Sequence, residues 1–176
     1  MNGLSRKCRR VFHIICFTAI AYLFCASAQA GEPIEMMLHK DDVYGAHDIE
    51  AGDYAKGVER LLTRVGYKGQ AVSRWTPIVN DLCAGYTMLK DFEAATKYCD
   101  AAVANGWSTG LALNNRGALH AGMGDYENAI LDFRAAIESR GADSIARRNL
   151  DRIEARVAAM LRTNDSMVAQ ASPNAK

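Results

Sequence analysis

Residues 124–136 read GDYENAILDFRAA. Gly124 supplies a tight turn and Asp125 stands where a carboxylate accepts backbone N–H groups at a helix start. Tyr126, Ala129, Ile130, Phe133, Ala136 and Ile137 then recur at helical spacing, which predicts an amphipathic helix. Just upstream, Leu113, Gly117, His120 and Met123 do the same, so 110–143 reads as two helices joined by a turn. The small Gly117, Ala129 and Ala136 let the two helices approach, and Phe133 fills the space to the next pair. The turn recurs as Gly52-Asp53-Tyr54 and Lys90-Asp91-Phe92, with Tyr54, Phe92 and Tyr126 separated by 38 and then 34 residues. Recurrence at such a period is the signature of a stacked helical array.

The third unit carries Leu113-x2-Arg116-Gly117-x2-His120, then Gly124-Asp125-Tyr126, Ala129-x3-Phe133 and Ala136. The second carries Val79-x2-Leu82-Cys83-x2-Tyr86, then Ala95-x3-Cys99 and Ala102. The first keeps Tyr44-Gly45 and Gly57-x3-Leu61, with Asp48 where an aromatic is usual. On these residues the chain resembles the tetratricopeptide-repeat family. Arg116 and His120 depart from its pattern, and its closing proline is replaced by Gly69, Trp107 and Gly141. The resemblance implies an all-α helical-hairpin solenoid of about three repeats, 38–71, 76–109 and 110–143, with a C-terminal capping helix over 144–162. The expected helices are 37–49, 53–65, 76–89, 92–105, 110–122, 126–140 and 144–162. Gly31–Met37 is a short leader, 65–75 is an irregular loop, and 163–176 is expected to be a disordered tail.

The N-terminus has another character. Arg6, Lys7, Arg9 and Arg10 precede an apolar run from Val11 to Cys25, and Ala28-Gln29-Ala30 closes it. A basic start, an apolar middle and a small-residue exit describe a secretory signal over 1–30, cut after Ala30. The protein is then periplasmic or secreted, with no stable membrane insertion after cleavage. The alternative is an uncleaved anchor in the inner membrane. Those first 30 residues hold four of the 21 basic residues and none of the 20 acidic ones, leaving net −3 on the rest. That removes the basic footprint of a nucleic-acid binder.

Catalytic and cofactor motifs are missing from the sequence. His39, His47 and His120 lack the i, i+4 spacing of a helical zinc site. Ser108-Thr109-Gly110 has no phosphate-loop lysine, and no Gly-x-Ser-x-Gly elbow occurs. The expectation is a non-enzymatic protein with no cofactor and no metal.

The resemblance implies that the first helix of each hairpin lines a concave face that binds a peptide or protein segment. It places Asn80, Ala84 and Thr87 there from unit two, and Asn114, beside Asn115, with Ala118 and Ala121 from unit three. The capping helix adds Arg148 and Arg152, one turn apart, as partners for acidic groups. The alternatives are that these arginines are solvated charges beside Asp151 and Glu154, and that the chain is a self-associating envelope scaffold, a homo-oligomer. The resemblance also puts Cys83 and Cys99 on the two facing helices of unit two. In an oxidising compartment they are either a disulfide or two buried thiols.

Overall fold

The computed structural model describes residues 32–39, 45–67, 76–106, 109–139 and 143–171. The export segment 1–30 with its cut site, residues 40–44, the loop from 68 to 75 and the last five residues lie outside the described residues. The chain divides into Met1–Pro33 and Ile34–Lys176. Of the first unit only Glu32 and Pro33 are described, both exposed; the second carries the fold.

Its described elements are seven helices: α1 (Ala46–Glu50), α2 (Tyr54–Tyr67), α3 (Thr76–Leu89), α4 (Phe92–Asn105), α5 (Thr109–Met123), α6 (Tyr126–Glu138) and α7 (Asp143–Ala171). Each helix packs on the next in sequence, and α3 with α5 and α5 with α7 also pack on one another. The odd-numbered helices α3, α5 and α7 therefore form one layer, against which α4 and α6 form a second. No helix among the described residues is long and apolar enough to cross a membrane.

The turn motif does what its chemistry requires. Asp91 and Asp125 accept the N–H groups of Ala94 and Asn128, capping α4 and α6. The residue ahead of each turn aspartate takes a left-handed conformation: Gly52 at φ 87°, Gly124 at φ 83°, and Lys90 at φ 61°. Where α5 crosses α6, a Cβ on Gly117 would lie 2.8 Å from the ring of Phe133, which is wholly buried. Arg116, one of the two residues that depart from the family's pattern, has an ionic role. The Arg116 guanidinium donates from Nε and Nη2 to both oxygens of Asp132 on α6, each at 2.8 Å. His120 Nε2 stands 3.6 Å from the same carboxylate.

Cys83 on α3 and Cys99 on α4 form a disulfide, with Cα atoms 4.7 Å apart. It lies in a cluster with Ala95 and Leu119, beside the stacked rings of Tyr86 and Tyr98. The chain-entropy account gives a loop of this size about 3 kcal/mol of stabilisation. Of the two states left open by the sequence, the protein adopts the bridge.

Two expectations are corrected. Residues 37–39 are not helical, and the helix expected over 37–49 is described only from Ala46. Gly45, at φ 104°, blocks helical continuation there and lies against the backbone of Gly57, where a Cβ would meet the carbonyl oxygen at 2.6 Å. At the other end α7 runs on to Ala171, so most of the expected disordered tail is helix. Residues 163–168 are all exposed, but helix needs only backbone bonds and permissive side chains to extend from a packed segment.

These contacts predict opposite signs for two small substitutions in urea unfolding. Gly117→Ala should lose about 1–3 kcal/mol, because Phe133 has no room to give. Lys90→Gly should gain about 0.5–1 kcal/mol, because the left-handed turn ceases to strain a side chain and only part of that relief is offset by unfolded-chain entropy.

Candidate functional site

The 34-residue spacing places a pair of adjacent polar residues at the same point of three helices of one layer: Asn80-Asp81 on α3, Asn114-Asn115 on α5 and Arg148-Asn149 on α7. Asn80, Asp81, Asn114, Asn115 and Asn149 are all buried. Buried amides and carboxylates need hydrogen-bond partners. Here those partners come from residues 34–39 and from the neighbouring amides.

This segment has no helix or turn and lies across the three helices as a strap. Asn149 Oδ1 accepts the N–H of Glu35 at 2.8 Å. Asn115 Oδ1 accepts the N–H of Met37 at 2.7 Å. Asp81 Oδ1 accepts the N–H of His39 at 3.0 Å. In return, Asn149 and Asn114 donate to the carbonyl oxygen of Glu35 at 2.8 and 3.1 Å. Asn115 and Asn80 donate to that of Met37 at 2.7 and 3.0 Å. The amides also join one another across helices, Asn149 to Asn114 Oδ1 at 2.9 Å and Asn115 to Asn80 Oδ1 at 3.1 Å.

The logic is that of an extended chain. N–H and C=O of one residue point to the same side, and alternate residues point oppositely. Residues 35, 37 and 39 therefore face α7, α5 and α3 in turn, and the strap runs against the helix order. An amide side chain both donates and accepts, so it matches a residue's N–H and C=O together.

Side chains add a second layer of recognition. The Glu35 carboxylate receives Arg148 Nη2 at 2.7 Å and Nε at 3.2 Å, and Arg152 Nη1 at 2.7 Å. These bonds, Arg148 first and Arg152 next, hold its carboxyl down at about 2 despite some desolvation. Ile34 and Met36 pack against the cluster of Ala118, Ala121, Phe133 and Ile153, and Met37 against Leu113, Ala136 and Ala146. Leu38 packs against the cluster of Ile49, Leu61 and Leu82.

At the strap's far end, Asp81 is fully buried and its Oδ2 has no hydrogen-bond partner among the described residues. Burial pushes its carboxyl up to about 7, helped by the charge of Glu50 and opposed by the bonds from His39 and Asn80.

Of the residues singled out from sequence, Asn80, Asn114, Arg148 and Arg152 all bond the strap, and Ala118 lies in the cluster beneath it. Ala84 is sealed in the core, and Thr87 turns its hydroxyl back to the carbonyl of Cys83 at 2.8 Å. The carboxylate that Arg148 and Arg152 hold is Glu35, while Glu154 pairs with Arg134. Sequence reasoning assigned no role to Asp81, Asn149 or Glu35, and none to Asn115 beyond being Asn114's neighbour. The signal was present: Asp81, Asn115 and Asn149 are spaced by 34, as are Asn80, Asn114 and Arg148. No protein family, curated protein or solved structure matches the chain.

The alternation is measurable by hydrogen exchange. The amides of Glu35, Met37 and His39 should be protected, and those of Met36 and Leu38 should exchange faster. Asn115→Ala should abolish protection at Met37 and cost about 2 kcal/mol or more, because it strands buried partners on both sides.

The two carboxylates give opposing pH slopes. Glu35 has a folded pKa below its ordinary 4.5, so it contributes stability present above that value and lost as pH falls toward 2. Asp81 has a folded pKa above its ordinary 3.8, so the unfolded chain ionises first and stability falls as pH rises from about 4 to 7. In melting curves from pH 2 to 8, Glu35→Gln should flatten the acid limb and Asp81→Asn the neutral one.

Proposed function

We propose that the chain is an exported, non-enzymatic interaction module of tetratricopeptide type, and that the α3–α5–α7 face binds an extended peptide segment of a partner protein. The 34-residue period, the turn motif, the small residues at helix crossings and the two-layer packing support the repeat assignment. The basic, apolar and small-residue succession of 1–30 supports export to the periplasm or outside the cell. One observation carries the binding reading. The face already holds a peptide segment, residues 34–39, through seven bonds to its main chain. A surface that recognises main chain by a repeated pair of polar side chains, with an amide in each, is chemically a peptide receptor.

A library of displayed ten-residue peptides, panned against the exported chain, tests this. Enriched peptides should compete with a synthetic 32–39 peptide and should lose binding to the Asn115→Ala chain. Absence of enrichment, or binding indifferent to Asn115, would count against the face as the receptor. N-terminal sequencing of the exported protein should begin at Gly31; full-length chain in washed membranes would favour an anchor.

A separate observation favours the scaffold reading. From Ala159 to Val168 every residue of α7 is exposed, including Met160, Leu161, Met167 and Val168 at more than half of their surface. Such a stripe suits self-association. Light scattering during size-exclusion chromatography should then give a mass that rises with concentration; a constant monomer mass would rule against it.

A further inference from the structure

The main-chain ladder gives affinity but carries little sequence information. Specificity must come from the side chains that the face contacts between its main-chain bonds. The strap shows what those contacts accept. Its Glu35 fits a three-bond fork from Arg148 and Arg152. The residues on either side, Ile34 and Met36, sit on one apolar cluster, and Met37 on another.

Resting on the peptide-binding reading above, we propose that the partner is a protein segment of the pattern apolar–acidic–apolar–apolar. It binds extended, with its N-terminal end at α7 and its acidic side chain between Arg148 and Arg152, in place of residues 34–37. The strap is the resident competitor for that site. Three features support this assignment. The arginines are one helical turn apart and converge on one carboxylate, a geometry that discriminates an acid from a neutral or basic residue. The main-chain bonds fall only on alternate residues, so the register is set in steps of two and the direction by which end bears the acid. The ladder bonds make no distinction between a strap in cis and a peptide in trans. A tethered competitor acts at an effective concentration of about 1 mM, so a partner gains access in proportion to how weakly the strap is held.

That last point gives the proposal a sign that a purely structural strap would not have. Weakening the strap while leaving the arginines intact should improve binding in trans. The probe is a fluorescein-labelled synthetic peptide of residues 32–39, EPIEMMLH, read by fluorescence polarisation. The receptor is the full chain, as wild type and as Glu35→Arg. Glu35→Arg should bind the peptide at least tenfold more tightly than wild type. A peptide with lysine at the Glu35 position, and one of reversed sequence, should each bind it at least tenfold more weakly. Arg148→Glu and Arg152→Glu, combined with Glu35→Ala so that the strap gains no new ion pair, should invert the preference between the glutamate and lysine peptides.

A variant that loses its fold would mislead, so a second measurement uses the wild-type chain. Excess unlabelled peptide, added to isotope-labelled protein, should strip exchange protection from Glu35, Met37 and His39 while the helices keep theirs. Equal binding of all peptides would leave a peptide-binding face but overturn the acidic register. Failure of every peptide to bind Glu35→Arg, with strap protection unmoved in wild type, would overturn the peptide-binding reading as well.

Discussion

A peptide group that leaves water must find both a donor and an acceptor. The α3–α5–α7 layer of this protein meets that demand chiefly with asparagine, and with Asp81 at one end. Asparagine offers a carbonyl and an amine a fixed distance apart, and a pair of polar residues repeated every 34 positions presents them at the same height on α3, α5 and α7. The buried amides would be a liability alone, each costing more than a kilocalorie per mole unpartnered. The strap removes that cost, and the amides do the same for the strap. The register of the strap and the polar composition of the α3–α5–α7 face follow from this mutual satisfaction.

The departures from an ideal repeat make sense on the same basis. At 148 the ladder replaces asparagine with arginine, since a side-chain carboxylate rather than only a carbonyl is on offer from Glu35. At 81 it replaces asparagine with aspartate. Its Oδ1 still accepts from His39, but Oδ2 has no donor among the described residues. The ladder is therefore strongest at the α7 end, where ion pairing is added, and weakest at α3, where a buried carboxyl resists ionisation. Meanwhile the disulfide ties α3 to α4, so the less well satisfied end of the face rests on the covalently fastened hairpin.

Much of the helical layer was legible in the residues. Turn aspartates, aromatics in register and small residues at crossings placed α2 to α6 within a few positions, because those signals are local and periodic. The inner face was partly legible: Asn80, Asn114, Arg148 and Arg152 were picked out by their phase on the repeat. What they hold was not. Met36-Met37-Leu38 is an apolar run, and without a known partner a helix reads as starting in it, at Met37. Its extended form is imposed by residues 42 to 114 positions away, and no local pattern encodes that. The end of α7 was misread for the converse reason, since a helix can continue by backbone bonding after its apolar stripe has stopped.

A helical array without a strap is close to a one-dimensional object, in which each unit stabilises only its neighbours and the ends fray first. The bonds from Glu35 to Asn149 and from His39 to Asp81 break that rule by joining the beginning of the fold to both its middle and its end. Contact order rises, and loss of the last helix removes the anchor of the first segment, so melting becomes more nearly all-or-none. There is also an order in time. The strap is made early and its α7 partners late, so during synthesis it waits through more than a hundred residues before its anchor exists. The face and its resident segment come together only when α7 has been made, which makes closure of the ladder a late event in folding.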